Sequence, residues 1–386
     1  MPHYRAVGEV PRKSHTRSAF HEELVGETGF SGASSLLYHR HSPSALLAIE
    51  EVRDDRPALV ANHPLAPRHL RPVKLGETAD PVTGRILLAG NTNVHLCWWA
   101  GGAGVSPLYR GAAGDELAYV QSGSARLETT FGPLALTAGD YAVVPAGTVH
   151  RWVVPEPTEL LLVEGRGGHV EVPSRYLTPG GQLKEGAPFS ERDVRGPTAP
   201  ATCDDDGPAE VLVRTRAGLT RHLLARHPFD VAGWDGCSYP WAFQILDFEP
   251  IVGRLHQPPP VHQTFQGPGF VVCSFVPRLF DTDPDAVKIP YHHANVDSDE
   301  VLFYSRGDFM SRAGTGIGAG SITVHPSGFI HGPQPGSLEA SAAVTRTEEV
   351  AVMIDTFAPL LLSPAALGTE DETYWTTWAG RAEGRM

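Results

Sequence analysis

Short apolar runs, separated by residues that favour turns, recur along most of this chain. Clear examples lie at 141–144, 160–163 and 351–354. Runs of this length, bounded by glycine and proline, are typical of β-strands. Long stretches with the helical spacing of apolar residues are scarce. The pattern therefore predicts an all-β fold with few short helices.

Glycine and proline support the same interpretation. The chain has 41 glycines and 34 prolines, and they fall mostly between the apolar runs, where an all-β architecture needs turns. With 386 residues the chain is long for one β-barrel and sufficient for two.

A motif of glycine, proline and histidine occurs twice. The pattern Gly-x5-Pro-x-Gly-x2-His runs from Gly139 to His150 and again, without a gap, from Gly320 to His331. An internal repeat of this size indicates two similar barrels rather than one.

The second copy resembles the metal-binding pattern of the cupin family. In that family a block of His-x-His-x3 or x4-Glu-x6-Gly precedes the glycine, proline and histidine block, and both blocks lie on paired strands that hold one metal ion. This chain has His293, Glu300 and His331 at three of the ligand positions, and Asn295 stands where a further histidine is often found. The resemblance implies a metal site of two histidines and one carboxylate.

The residue types at these three positions favour Fe(II). Two neutral imidazoles and one carboxylate leave adjacent coordination positions open for a substrate and dioxygen. None of the four cysteines lies inside the two blocks, which disfavours a cysteine-rich zinc site. The competing interpretation is that the histidines are ordinary polar strand residues and the glutamate is solvated. The matching glycines and proline at the turn positions argue against it.

The first copy of the motif lacks a complete ligand set. Glu116 and His150 are present, but Tyr109 stands at the spacing that His293 has in the second copy. A single carboxylate and a single imidazole make a poor iron site. We therefore expect the first barrel to be structural and free of metal, and the second to carry the chemistry.

Charge and hydropathy exclude several classes of protein. The chain has 31 Lys and Arg against 44 Asp and Glu, a formal net charge of −13, which disfavours nucleic acid and anionic membranes as partners. The chain contains no apolar run of about 18 residues, the length that could span a membrane. Its first residues lack the order of a signal peptide. The four cysteines show no disulfide framework, so we expect a cytoplasmic protein.

These features predict four divisions of the chain. The polar, turn-rich composition of 166–210 suggests a linker or surface loops, and a strand-like pattern resumes from residue 211. The predicted divisions are an N-terminal wrapping segment at 1–85, a metal-free cupin-like barrel at 86–165, the linker at 166–210, and a catalytic cupin barrel with a C-terminal tail at 211–386.

Several separate stretches together resemble the homogentisate 1,2-dioxygenase family, whose members are Fe(II) ring-cleaving enzymes built from a fused pair of cupin-like barrels. In chain order these stretches are 23–26 with Phe30, 35–43, 233–236 with Pro240, and 289–293. Their order and spacing make the resemblance specific. It implies that His293, Glu300 and His331 bind the iron and that the protein is a homo-oligomer, a trimer or a hexamer.

The resemblance also implies residues around the iron. The family uses an acid/base histidine in a His-x-x-Pro context, which His256 fits best, with His262 as the competitor. Imidazole suits this role because its unperturbed pKa of about 6.5 allows proton exchange near neutrality. Tyr291 and His325 are implied to position the substrate or to orient the metal ligands.

Three further positions that the resemblance places near the substrate depart in part from the family pattern. The family has Arg-Gly-x-Tyr-x-x-Lys where this chain has Arg306, Phe309 and Arg312. The missing hydroxyl at Phe309 removes one hydrogen bond, and Arg312 is a planar, wider donor than lysine. These departures affect the expected substrate more than the expected reaction class.

The function that the resemblance implies is Fe(II)-dependent cleavage of homogentisate by O2 to maleylacetoacetate, in tyrosine and phenylalanine catabolism. The partners would be a small aromatic substrate and dioxygen. A ring-cleaving enzyme for gentisate or for a hydroquinone of secondary metabolism is the first alternative. A non-enzymatic cupin that binds metal or sugar is a more distant one.

Overall fold

Strands account for nearly all regular structure in the computed structural model, which describes residues 3–13, 15, 19–54, 56–205, 207–312 and 314–379. In chain order the strands are β1 (Arg5–Gly8), β2 (His21–Gly26), β3 (Ser34–His39), β4 (Leu46–Val52), β5 (Val60–Ala61), β6 (Arg68–Leu70), β7 (Ile86–Gly90), β8 (Val94–Gly101), β9 (Gly104–Val105), β10 (Leu108–Gly111), β11 (Glu116–Ser122), β12 (Ser124–Thr129), β13 (Gly132–Thr137), β14 (Asp140–Val144), β15 (Val149–Val154), β16 (Thr158–Gly165), β17 (Val194–Arg195), β18 (Ala209–Arg214), β19 (Leu219–Leu224), β20 (Val231–Gly236), β21 (Trp241–Gln244), β22 (Gln263–Gly267), β23 (Phe270–Phe275), β24 (Arg278–Leu279), β25 (Asp299–Arg306), β26 (Ser321–His325), β27 (Arg346–Thr347), β28 (Val350–Thr356) and β29 (Leu361–Leu362).

The helices are all short. The α-helices are α1 (Ser337–Ser341) and α2 (Pro364–Leu367), and 3-10 turns lie at Thr28–Phe30, Pro72–Leu75, Ser174–Tyr176, Glu191–Asp193, Ile245–Asp247, Pro259–His262, Met310–Arg312 and Tyr374–Ala379. Within the described part of the chain, no helix has both the length and the apolar character needed to cross a bilayer. The expectation of an all-β, cupin-like fold with few short helices is confirmed.

The first of two compact units contains the described residues of Met1–Arg56, Glu77–Arg85 and Cys97–Gln244. One of its sheets has the strand order β13-β12-β15-β10-β18-β19-β4, a second set runs β17-β21-β14-β11-β16, and a third runs β1-β20-β3-β2. Buried and exposed residues alternate strictly along β13, as they do in a strand with one face on a core. Large apolar side chains fill this core, among them Leu117, Leu127, Tyr141, Trp152 and Leu162.

The second unit contains the described residues of Pro57–Gly76, Ile86–Leu96 and Ile245–Met386. Its main sheet has the order β22-β23-β28-β25-β26-β6, and smaller sets run β7-β29-β5 and β24-β27. The adjacent strands β25 and β28 are buried along most of their length. Their side chains form much of the core, with Phe265, Phe270, Val301, Phe303 and Ile354.

Glycines of the repeated motif form left-handed turns in both units. Their φ angles are +89° at Gly139, +86° at Gly147, +78° at Gly320 and +75° at Gly328. Residues with a Cβ are strained in this region of backbone conformation, so glycine is the residue that allows these turns. The repeat in the sequence therefore encodes the same pair of turns twice, on either side of β14 and of β26.

The boundary between the two compact units lies after Gln244, whereas the predicted boundary is at residue 211. Residues 211–244 pack in the first unit because β18 pairs with β10 and β21 pairs with β14. Residues 166–210 belong to the same unit, whereas 57–76 of the predicted wrapping segment belong to the second. Apolar patterning locates strands but does not identify their distant partners. The metal-free and catalytic roles of the two barrels stay predictions.

Candidate metal centre

Three polar side chains from separate segments of the second unit meet at one point. Glu300 is the second residue of β25, while His293 and His331 form an isolated antiparallel bridge with backbone hydrogen bonds of 2.8 and 2.9 Å. One nitrogen or oxygen atom from each side chain lies within 4.8 Å of the others. The three positions read from the sequence motif are therefore neighbours in the structure.

Both imidazole rings are oriented by backbone carbonyls. His293 Nδ1 lies 3.1 Å from the carbonyl oxygen of Tyr291, and His331 Nδ1 lies 3.1 Å from that of Phe329. When Nδ1–H donates to these carbonyls, Nε2 keeps its lone pair, which is the form that binds a metal. The two Nε2 atoms lie 3.6 and 3.3 Å from the Glu300 carboxylate oxygens.

The donor set and its surroundings fit a divalent metal. His331 Nε2 is buried and makes no hydrogen bond among the described residues. A buried polar atom without a partner is costly, and a metal ion would satisfy it. Two imidazoles and a carboxylate are the donors of a 2-His-1-carboxylate iron site.

The charge of Glu300 is held by the imidazoles around it. Burial would raise the pKa of this carboxyl, but contacts with His293, His325 and His331 more than offset burial and hold the pKa well below its usual range. The contact with Glu300 in turn raises the pKa of His293. A buried carboxylate that stays ionised supplies the negative charge that attracts a divalent cation.

His325 fixes Glu300 from behind. Its Nδ1 lies 2.8 Å from Glu300 Oε1, and its Nε2 lies 3.0 Å from the hydroxyl of Tyr374. The His325 ring also stacks on His331 with 4.1 Å between centroids. Burial lowers the pKa of His325 to about 3, so the ring is neutral near pH 7. It therefore orients the proposed ligands from a fully buried position, with no exposed surface to offer a substrate.

Aromatic residues of the C-terminal segment cover this network. Tyr374 and Trp378 pack edge to face with 5.0 Å between ring centroids. The Trp378 indole N–H donates to the carbonyl of Gly332, next to His331, over 3.0 Å. The segment that follows α2 thus closes the side of the site behind His325.

Asp355 adds a second carboxyl to the same place. It lies directly opposite Glu300 on the adjacent strand β28. Its Oδ1 is buried and has no hydrogen-bond partner among the described residues. Burial, and then the charge of Glu300, raise the pKa of Asp355 to about 7.

The two candidate acid/base histidines differ sharply in environment. His256 has a side chain 59% exposed, its Nδ1 lies 2.9 Å from Asp281 Oδ2, and its ring lies 5.8 Å from that of Tyr291. His262 is buried against Phe275, with ring centroids 4.5 Å apart. Burial lowers the pKa of His262 to about 3, which is unsuitable for proton exchange near neutrality.

The remaining residues predicted to contact substrate are dispersed. Tyr291 is 54% exposed, with its ring 6.5 Å from that of His293. Arg306 is exposed at the end of β25, and Phe309 is buried edge-on against Tyr304, 4.9 Å between centroids.

Arg312 is engaged inside the protein. Its guanidinium donates to the Gly332 carbonyl and, over 3.2 Å, to the hydroxyl of Tyr304, and it lies over the Trp378 ring. Of these four predicted substrate contacts, the structure leaves Tyr291 exposed beside the proposed ligands, and it commits the Arg312 side chain to a buried structural role.

Sequence reasoning missed Asp355, Tyr374 and Trp378. Nothing in the motif spacing marks Asp355. Its position opposite Glu300 follows from the antiparallel register between β25 and β28. The two aromatics lie in a tail recognised in sequence only as polar and aromatic, because their contact with His325 is made through tertiary packing.

Comparison with known proteins adds a family match and relatives. The model of the cupin domain family matches residues 96–164. A protein of Saccharolobus solfataricus that is provisionally named a dioxygenase is 39% identical over 386 residues, which cover 98% of this chain and 99% of the relative. Homogentisate 1,2-dioxygenase of Nitrobacter hamburgensis is 28% identical over 286 residues, covering 70% of this chain and 62% of that enzyme.

A cupin 2 conserved barrel domain protein from Leptotrichia buccalis aligns with 79% of this chain and 100% of its own length, at 9% identity and a TM-score of 0.36.

Proposed function

This chain belongs to the cupin dioxygenase family of its Saccharolobus solfataricus relative, and from that premise we propose that it cleaves the ring of a hydroquinone that carries a carboxylate side chain. His293, Glu300 and His331 would hold Fe(II), and the first candidate substrate is homogentisate, with maleylacetoacetate as product. The observation that carries the proposal is the convergence of these three side chains within 4.8 Å.

The ligand set supports an oxygen-dependent reaction. Three protein donors leave coordination positions for both an organic ligand and dioxygen. When bound, Fe(II) would supply Lewis acidity toward a ring hydroxyl and a path for electrons from the substrate ring to dioxygen. The protein contributes fixed ligand orientation through the carbonyls of Tyr291 and Phe329 and through His325.

His256 is the residue we propose to accept the phenolic proton. Asp281 contacts its Nδ1, which leaves Nε2 available for the substrate, and the ring lies beside Tyr291. A carboxylate partner of this kind fixes which ring nitrogen carries the proton. Tyr291 would lie along the bound aromatic ring, between His256 and His293.

The side chains that follow β25 favour a second candidate substrate, a related hydroquinone such as gentisate or a secondary metabolite. Phe309 has no hydroxyl and packs on Tyr304, while Arg312 is bonded internally. Neither side chain is free to bind a carboxylate or hydroxyl as a tyrosine and a lysine could. The reaction would be the same, with different contacts to the ring substituents.

A non-enzymatic cupin that binds metal or sugar is the more distant possibility. Two features favour a catalytic site. The exposed His256 contacts the carboxylate of Asp281, and Asn295 stands in place of a further histidine ligand. We also expect the protein to be cytoplasmic. We expect it to form trimers or hexamers, and sedimentation velocity would measure this oligomeric state.

The proposal is tested by oxygen uptake. Protein purified without oxygen and loaded with Fe(II) is mixed with homogentisate or gentisate while dissolved oxygen and product absorbance are recorded. We expect one O2 consumed per homogentisate, with no uptake by the H331A variant. Turnover of gentisate alone would select the second candidate. Absence of turnover with either compound, in protein that retains one iron per chain, would count against ring cleavage of this substrate class.

A further inference from the structure

A cavity of about 200 Å³ lies within the first unit, and none of the residues proposed to bind iron lines it. Residues of β2, of β10 and of the turn before β15 contribute to its wall. Polar side chains at the wall include Glu23, Glu27, Arg110, Thr130 and His169, and apolar ones include Val25, Leu37, Phe131 and Val149. A mixed lining with few charged groups is typical of a small-molecule site.

Arg110 is the unusual group in this wall. It lies on β10, where its backbone neighbours are Val149 and Val213. Its Nε is buried and has no hydrogen-bond partner among the described residues. Burial lowers the pKa of this guanidinium, and the charge of Glu23 opposes that shift. The residue is only partly buried, but a buried polar nitrogen without a partner is costly.

The carboxylates near Arg110 have other partners. Glu23 Oε2 lies 2.8 Å from His39 Nε2, and contacts with Asp230 and Glu23 raise the pKa of His39 to about 9 despite burial, so this ring is positively charged near pH 7. Glu27 accepts a hydrogen bond of 3.2 Å from Ser238. The ion pairs described for these two carboxylates are with His39 and His169, while the charge of Glu23 also acts on Arg110.

Arg110 and Glu27 both line the cavity, and each also borders a different smaller cavity. The smaller cavity beside Arg110 has a volume of about 40 Å³ and is also lined by His39 and Asp230. The smaller cavity beside Glu27 has a volume of about 20 Å³ and is also lined by Asp115 and Tyr239. These two smaller cavities share no lining residue.

We propose that this cavity binds a small carboxylate that carries a hydrogen-bond donor, hydroxyl or ammonium, at its other end. The carboxylate pairs with Arg110, the donor meets Glu27, and the body of the ligand contacts Leu37 and Phe131. Arginine binds carboxylates through two parallel hydrogen bonds, which would satisfy its buried nitrogen. The site is independent of the proposed metal centre and of the reaction assigned to it.

Binding is measured by isothermal titration calorimetry on the full chain with both metal-site histidines removed (H293A and H331A), so that the proposed metal centre cannot contribute. The probes are 4-hydroxybenzoate, 4-(aminomethyl)benzoate and benzoate. We expect one site per chain for at least one of the first two probes, and weaker binding of benzoate, which lacks the donor. Failure of both donor-bearing probes to bind would overturn the proposal.

Variants at Arg110 locate the binding. R110Q in the same background is expected to weaken binding by about tenfold or more, because it removes a charge-assisted pair, and R110K is expected to retain part of it. R192Q, at a side chain 88% exposed, is the matched control and should leave binding unchanged. Equal affinity of R110Q and the control would place the ligand elsewhere and refute the assignment.

Stability separates loss of a site from loss of the fold. Removing a guanidinium whose buried Nε has no hydrogen-bond partner should leave the melting temperature of R110Q unchanged or higher without a probe. The E27Q variant tests whether Glu27 accepts from the donor group of the ligand. It should weaken binding of 4-(aminomethyl)benzoate more than binding of 4-hydroxybenzoate, because only the ammonium group needs the negative charge of Glu27. An R110Q protein that unfolds at much lower temperature would show that the guanidinium is structural and would contradict a binding role.

Discussion

The two copies of the motif hold matching positions in the two units and differ in what neutralises their carboxylates. Glu116 is the first residue of β11 and Glu300 is the second residue of β25, and His150 and His331 each end the motif. Both histidines have Nδ1 near the carbonyl oxygen two residues earlier, 3.2 Å away in His150 and 3.1 Å in His331. Both Nε2 atoms lack a hydrogen bond among the described residues.

Strand register extends the correspondence to the positions around them. Tyr109 pairs with His150 as His293 pairs with His331. The strand partner of Glu116 on one side is Glu164, as that of Glu300 is Asp355. The first unit has therefore lost one imidazole but kept two opposed carboxyl groups.

A guanidinium supplies the missing positive charge in the first unit. Arg85 is buried, pairs with Glu116, lies 2.9 Å from Glu164, and stacks over the Tyr109 ring. Burial opposes its charge, yet Glu116 and the neighbouring groups hold its pKa well above the usual value. In the second unit no arginine or lysine forms a described ion pair with Glu300 or Asp355. The same carboxyl arrangement thus holds a guanidinium in one unit, and in the other it is the place where we propose a metal ion.

The largest expected effect comes from removing a proposed ligand. H331A should lose stoichiometric iron and reduce activity by about a thousandfold or more, because two donors cannot hold the ion in the required geometry. Inductively coupled plasma mass spectrometry of anaerobically loaded protein measures the metal. H150A is the matched control in the first unit and should keep one iron per chain. Loss of iron from H150A, or full iron in H331A, would break the comparison.

Removal of Arg85 is the next largest test. R85M removes the cation that pairs with the buried Glu116 and Glu164, although Arg56 still pairs with Glu164, so we expect the free energy of unfolding to fall by about 3–5 kcal/mol. Urea denaturation followed by circular dichroism measures the change. If R85M is as stable as the parent, the guanidinium does not replace the metal charge in the first unit.

Asp355 offers the opposite prediction in the second unit. D355N removes a carboxyl opposite Glu300, so the metal-free protein should become more stable, and Fe(II) should bind about tenfold more weakly because less negative charge attracts it. Competition with a chromogenic chelator measures affinity, and D285N, at an exposed site, is the control. Unchanged affinity together with lower stability would show that Asp355 only packs.

The smallest expected effect is at Tyr374. Y374F keeps the ring but removes the hydroxyl that contacts His325, so the orientation of Glu300 loosens and Fe(II) affinity should fall a few-fold, equivalent to about 0.5–1.5 kcal/mol. The same chelator competition applies. Y176F, a partly exposed tyrosine of the first unit, should show no effect.

Sequence reasoning recovered the elements that depend on local spacing. The repeat predicted the paired turns, and the residues at 293, 300 and 331 meet in the second unit because alternation along strands fixes which face each side chain occupies. The domain boundary and the roles of Arg85, Asp355 and Tyr374 depend on which distant segments pack together. Neither composition nor periodicity contains that information.

Anomalous X-ray diffraction at the iron absorption edge, from crystals of anaerobically loaded protein, tests the central contrast most directly. It should show a single iron per chain, bonded to His293, Glu300 and His331, with no peak between Glu116 and His150. An iron peak at the first motif, or none at the second in active protein, would contradict the account.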